Sequence, residues 1–237
     1  MANSKKIEGI CPYCGEKAIL TRDHVISQCL YANGVPANSP KIYACSKCNN
    51  ILKSRLDVYI RDFLITDIKG SEHPVSKQLF PKLARSVSRN QSEFARDAKN
   101  SQLIPRFTPG GLFAGFAYAI QLPNDPLGEG LAMMTRGLYY FYVRQVLPQN
   151  IAIQVHRQWD MQKLEPEIQM LFNLGAAYKP AGDGDVFECI YIIAPEKPTA
   201  SLWFLSFLRD IYFSVAIDLE PVLTQSDTAG EPIQAAS

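Results

Sequence analysis

Apolar and polar positions along this chain change period several times, and each change marks an element. Ala18-Ile19-Leu20 form a short apolar run in residues 16–28, a strand that delivers Asp23-His24 at its end. Residues 30–41 are rich in Gly, Pro, Asn and Ser and read as loop. Ile42-Tyr43-Ala44 supplies a second short strand. From Asn49 onward the period becomes helical: Leu52, Leu56, Tyr59, Ile60 and Phe63 recur at spacings of three and four and share a face. Asn50, Lys53 and Asp57 lie on a different, polar face, with Ser54 and Arg55 on the surface. Further on, a helix is predicted from about Lys82 to Ala98, with Pro81 in its first turn or at a break. Turn residues at Pro109-Gly110-Gly111 and between Pro123 and Gly128 bracket a strand over Leu112–Leu122. Leu131–Val146 is apolar nearly all round and predicts a buried helix. Ile151–Val155, Val186–Ala194, Ser201–Leu208 and Tyr212–Leu219 are rich in Val, Ile, Phe and Tyr and predict antiparallel strands.

These elements predict an α+β protein in several parts. A small N-terminal element spans 1–70, a basic helical linker 71–107, and a C-terminal α+β domain with an antiparallel sheet 108–223. The polar tail 224–237 is expected to be disordered. With 237 residues, 47% apolar and 20% charged, the composition is that of an ordinary globular protein. Residues 1–10 hold no apolar run that would serve as a signal sequence. The apolar stretches are interrupted, by Arg209-Asp210 in one case and by Arg136 and Arg144 in the other. A cytoplasmic protein without a membrane span is therefore expected.

Charge changes the picture more than composition does. Residues 1–110 carry 17 Lys or Arg against 9 acids, and residues 111–237 carry 7 against 14, within a net charge of only +1. A basic front half suits a polyanionic partner. Arg85 and Arg89 stand four apart on the predicted basic helix and share a face, a spacing suited to backbone phosphates or equally to a solvated helix surface.

Six cysteines complete the inventory. Cys11-Pro-Tyr-Cys14 and Cys45-Ser-Lys-Cys48 are two C-x-x-C pairs, while Cys29 and Cys189 stand alone, so a disulfide framework is a poor fit. Two such pairs present four thiolates, a tetrahedral shell for one structural zinc ion. Between them lie Arg22-Asp23-His24-Val25, and the second pair runs directly into Asn49-Asn50 at a helix start. In this order, C-P-Y-C-G, D-H-V-I and C-S-K-C-N-N-I-L-K-S-R-L-D resemble the HNH endonuclease family and its ββα-metal core, over residues of about 8–66. The chain departs from the family pattern at Ser27-Gln28-Cys29 and has no clear counterpart of the middle Asn, since Asn38 lies seven residues before Cys45.

The resemblance implies a metal-dependent hydrolysis of DNA phosphodiester bonds. It makes His24 the general base, which suits a group that titrates near neutral pH. It makes Asp23 and Asn49 the ligands of a catalytic Mg²⁺ or Mn²⁺, with Asn50 the alternative to Asn49. Plainer roles compete: a turn aspartate for Asp23 and an N-cap for Asn49. Arg22 and Lys53 are candidate phosphate contacts or surface cations. His73, in Ser71-Glu-His-Pro74, reads as exposed and without function, and His156 has no partner at a recognisable spacing. The expected partner is DNA, with a homodimer or protein contact assigned to the C-terminal domain. The alternative is a non-cleaving zinc-knuckle protein, either one that binds nucleic acid or a regulatory one whose acidic C-terminal domain binds a protein partner.

Overall fold

The computed structural model describes residues 7–67, 70–89, 92–108, 110–119, 125–158, 181–182, 185–194 and 196–218. They form a mixed α+β structure with three antiparallel sheets and four α-helices. The tail 224–237 lies outside the described residues.

The first sheet has the order β1-β2-β3, built from Ile7–Ile10, Lys17–His24 and Lys41–Cys45. β2 and β3 occupy the predicted segments; β1 has only four residues and too little alternation to stand out. The register sets Asp23 opposite Ile42 and His24 opposite Lys41. The chain leaves β3 into a π-helical turn, Lys47–Lys53, which continues as α1, Ser54–Thr66. The wider turn changes the phase of the apolar stripe. Leu56, Tyr59 and Ile60 are buried as predicted, whereas Leu52, one turn earlier, is 41% exposed.

The basic segment is not one helix from Lys82. It forms α2, Pro74–Ser88, and α3, Glu93–Lys99. The start signal is His73-Pro74: the His73 ring caps the helix by accepting from the Val75 amide, and Pro74 occupies the first turn, where its missing N–H costs nothing. His73 is therefore buried, not exposed, and its other ring nitrogen faces Asp185 at 3.3 Å. Pro81 sits inside α2 on the exposed side, where water can satisfy the carbonyl that loses its partner. Ser92 begins α3 by accepting from the Ala95 amide. Beyond it, Gln102–Phe107 is a strand, β4, paired with β5, Phe113–Ala119, in a two-stranded hairpin; the register shifts between Pro105 and Phe107.

α4, Pro126–Val143, begins five residues before the predicted start, because Asp125 accepts from Gly128 and Pro126 fills the first turn. The last sheet has the order β6-β10-β9-β8-β7, with β6 at Ile153–Gln158, β7 at Ala181–Gly182, β8 at Phe187–Ile193, β9 at Ser201–Phe207 and β10 at Ile211–Ile217. α4 lies between this sheet and the N-terminal element. Tyr139 and Tyr142 on one side meet Trp203 and Tyr191. On the other side Gly130 approaches Ile60, and Gly137 approaches Val25 and Tyr13 so closely that an added Cβ would fall 2.9 Å from Val25. The buried apolar side chains consequently form one cluster running from Cys11 to Ile217. Among the described residues no helix is long and apolar enough to cross a membrane.

Candidate active site and metal knuckle

Two knuckles and one register bring the predicted site residues together. In the first knuckle, Gly15 donates to the Cys11 carbonyl at 2.8 Å and adopts φ +71°, a conformation that glycine takes without strain. In the second, Cys48 N–H donates to the Cys45 sulfur and Cys45 N–H to the Cys11 sulfur, both at 3.4 Å. The four sulfurs all lie within 4.8 Å of one another, and Cys14 and Cys45 are 3.8 Å apart. Sulfurs at ~2.3 Å from a tetrahedral zinc are themselves about 3.8 Å apart, so the cluster fits a metal such as zinc. Although burial opposes its charge, the backbone N–H groups of Cys45, Cys14 and Tyr13 draw the Cys11 thiol below its ordinary value. Burial and the neighbouring Cys45 thiol instead push Cys48 far upward. Such a set can be fully thiolate only around a cation. Cys29 stays outside the cluster, donating to the Asp57 carbonyl, and burial raises its thiol.

Beside the knuckle, the end of β2 and the first turns of the long helix enclose a cleft of about 480 Å³. Arg22, Asp23, His24, Asn49, Asn50 and Lys53 all line it. Arg85 and Arg89 do not; both are exposed, Arg85 on α2 and Arg89 at its C-cap.

His24 is partly buried, and its Nδ1 meets Nε2 of the Gln28 side-chain amide at 2.5 Å. Burial first, then the charge of Lys41 across the strand pair, with smaller contributions from Arg22 and Lys53, lower its pKa below the ordinary 6.5 against the opposing pull of Asp23. At neutral pH the imidazole is therefore uncharged.

Asp23 is buried. Its Oδ2 accepts from the Tyr13 hydroxyl at 2.6 Å, and its Oδ1 faces Lys53 Nζ at 3.6 Å. Lys53 is not a surface cation. It is 4% exposed and donates to the His24 carbonyl at 2.9 Å and to Asp57 Oδ2 at 2.8 Å. Burial raises the Asp57 carboxyl even though Lys53 favours its charge. Asn49 is no N-cap: its side-chain NH₂ donates to Thr21 Oγ1 and to the Arg22 carbonyl, tying the helix start to β2. Its amide oxygen has no hydrogen-bond partner among the described residues. Asn50 is exposed and turns back to Ser46.

Tyr13, Gln28 and Asp57 are the site residues that sequence reasoning passed over. Tyr13 stands within the first knuckle, Gln28 four residues after His24, and Asp57 four after Lys53. Only the last spacing carried a signal, that of a helical ion pair. Comparisons with protein-family models, with curated proteins and with solved structures returned no match.

Proposed function

We propose that this chain is a metal-dependent HNH-type endonuclease that hydrolyses phosphodiester bonds of DNA. The observation that carries the reading is the cleft itself. An uncharged imidazole, a carboxylate and a carboxamide meet at the end of β2 and the start of the helix, beside a four-cysteine clamp.

In this reading His24 takes a proton from a water molecule, whose oxygen attacks phosphorus as the 3′ oxygen leaves. For Nε2 to be the accepting atom, Nδ1 must carry the other proton, so the Gln28 amide, whose Nε2 faces Nδ1, must turn its oxygen to the ring. Lys53 fixes the His24 carbonyl while partnering Asp23 and Asp57. Arg22, exposed at the cleft, is available to a substrate phosphate. Asp23 and the amide oxygen of Asn49 are hard donors, and such a pair suits a Mg²⁺ or Mn²⁺ that keeps several waters. When bound there, the ion would stabilise the charge on the phosphoryl group and on the leaving oxygen. Zinc at the four cysteines serves as a clamp outside the reaction.

One observation favours a second reading, in which the chain grips nucleic acid without cutting it: Asp23 is already engaged by Tyr13 and Lys53. Plasmid nicking with and without Mg²⁺ or Mn²⁺ separates the two. His24→Ala is expected to slow nicking by ~10²–10⁴-fold while leaving zinc content and DNA affinity in place. Nicking by the alanine variant at the wild-type rate would remove His24 from the chemistry.

A further inference from the structure

The β4–β5 hairpin is the least buried structure in the described chain. Every residue from Gln102 to Phe107 is exposed, and on the facing stretch Leu112, Phe113 and Phe116 are 72%, 58% and 62% exposed. A two-stranded hairpin is marginal in water unless something packs on it, and an apolar patch of this kind marks a contact surface. Toward its tip, Thr108 N–H donates to the Leu112 carbonyl at 2.7 Å and Gly111 N–H to the Thr108 carbonyl at 2.9 Å. Three phenylalanines cluster at that end. Phe107 and Phe113 rings stand 6.0 Å apart and Phe113 and Phe116 5.3 Å apart, both edge to face.

What covers this surface is indicated by charge. Residues 70–119 contain seven Lys or Arg and three acids, and the hairpin itself contains one charge, Arg106. Two of the acids are engaged, Glu93 with Arg55 and Asp97 with the Tyr59 hydroxyl, and Glu72 is exposed. None of the seven cations makes an ion pair among the described residues. A symmetric contact with a second copy would bring this surplus of cations toward its own copy. A polyanion meets no such opposition. Between the hairpin and the helices runs a cavity of about 930 Å³, lined by Lys77, Arg106, the acid Glu72, the buried Phe94 and the exposed rings of Phe80 and Phe116 among others, which sets two cations beside exposed rings.

We propose that the β4–β5 hairpin and the adjoining face of α2 dock single-stranded DNA, with bases stacked on Phe107, Phe113 and Phe116 and phosphates held by Lys77 and Arg106. Aromatic platforms beside a basic groove bind single strands in this way, because every base offers a π-face whatever its identity. The choice of DNA rests on the endonuclease reading. The cutting cleft and the docking surface are separate sets of residues, so a strand held at the hairpin would be positioned without occupying the reactive groups.

The test uses the full chain carrying His24→Ala, so that binding is read without cleavage, with labelled oligothymidine titrated over a range of salt. Phe113→Ala and Phe116→Ala are each expected to weaken binding ~5–100-fold with an unchanged salt slope. Phe113→Leu, which keeps apolar area but loses the π-face, should lose nearly as much. Arg106→Gln should flatten the slope of log affinity against log salt by roughly 0.7. These rings are exposed, so the fold survives their removal, which circular dichroism checks. Wild-type affinity in the alanine variants overturns the proposal, as does full affinity in Phe113→Leu, which would mark an apolar protein contact. Tighter binding of oligouridine than of oligothymidine overturns the choice of DNA. Phe substitutions that dissociate a dimer in sedimentation and leave DNA affinity untouched assign the surface to a second copy instead. Nicking by the unmutated chain is scored separately. Binding that depends on the rings in a chain that never nicks sinks the endonuclease reading alone, and nicking with ring-independent binding sinks the hairpin alone.

Discussion

Burial, and then the charge of Lys41 facing it across the strand pair, leave the His24 imidazole holding a proton weakly. A general base works only when unprotonated, so nicking is expected to fall as pH drops through a value below 6.5, the ordinary histidine value. Gln28→Glu would set a carboxylate against Nδ1, favour the imidazolium and move that acid limb to higher pH. An acid limb that stays in place in Gln28→Glu would show that Gln28 does not address the reacting ring. Lys53 has a different role. Its ammonium partners the buried Asp23 and the half-buried Asp57, and Lys53→Met would leave both acids without that cation. Removal of one member of a buried pair typically costs about 3–5 kcal/mol, which urea unfolding would read. Lys53→Met with Asp57→Leu should recover part of that loss; no recovery would place the cost elsewhere.

At the scale of elements, the two knuckles hold β2, β3 and the helix start in one piece, with the π-helical turn setting the phase between Cys48 and Lys53. Cys45→Ser is expected to release the zinc and unfold this piece, whereas Cys29→Ser keeps the metal, as elemental analysis of the purified variants would show. Correctly folded protein without zinc would end the clamp argument. Much at this scale was legible in the chain. The C-x-x-C spacing, the short apolar runs of β2 and β3, the all-apolar α4 and the Val-, Ile- and Phe-rich strands each carry their own local signal. The helix starts at Pro74 and Pro126 were open to reading as well, since proline in a first turn is a start signal as much as a break. Other features had no local signature. Leu52 falls out of the apolar stripe only because the turn widens, and β4 carries a proline that argues against a strand. The Tyr13–Asp23 and Asn49–Arg22 hydrogen bonds exist only once distant segments meet.

For the whole molecule, the charge division observed along the chain translates into an expectation about salt. Arg85 on α2 and Arg89 at its C-cap are exposed, and replacing either with Gln should flatten the salt slope of duplex DNA binding by about 0.9 per lost phosphate contact, equally for every sequence tested. An unchanged slope would make them solvated surface cations only. The continuous core has a consequence of another kind, in time. Three of the four knuckle thiols are buried, at 0%, 6% and 4% exposure for Cys11, Cys45 and Cys48, and α4 packs Gly137 against the Tyr13 that lies between the first two ligands. Cys14 alone is partly exposed, so a chelator meets an ion held there from that one side, and freeing the other three sulfurs requires the core to open. Loss of the metal to excess chelator would then level off at a rate set by the opening of the fold.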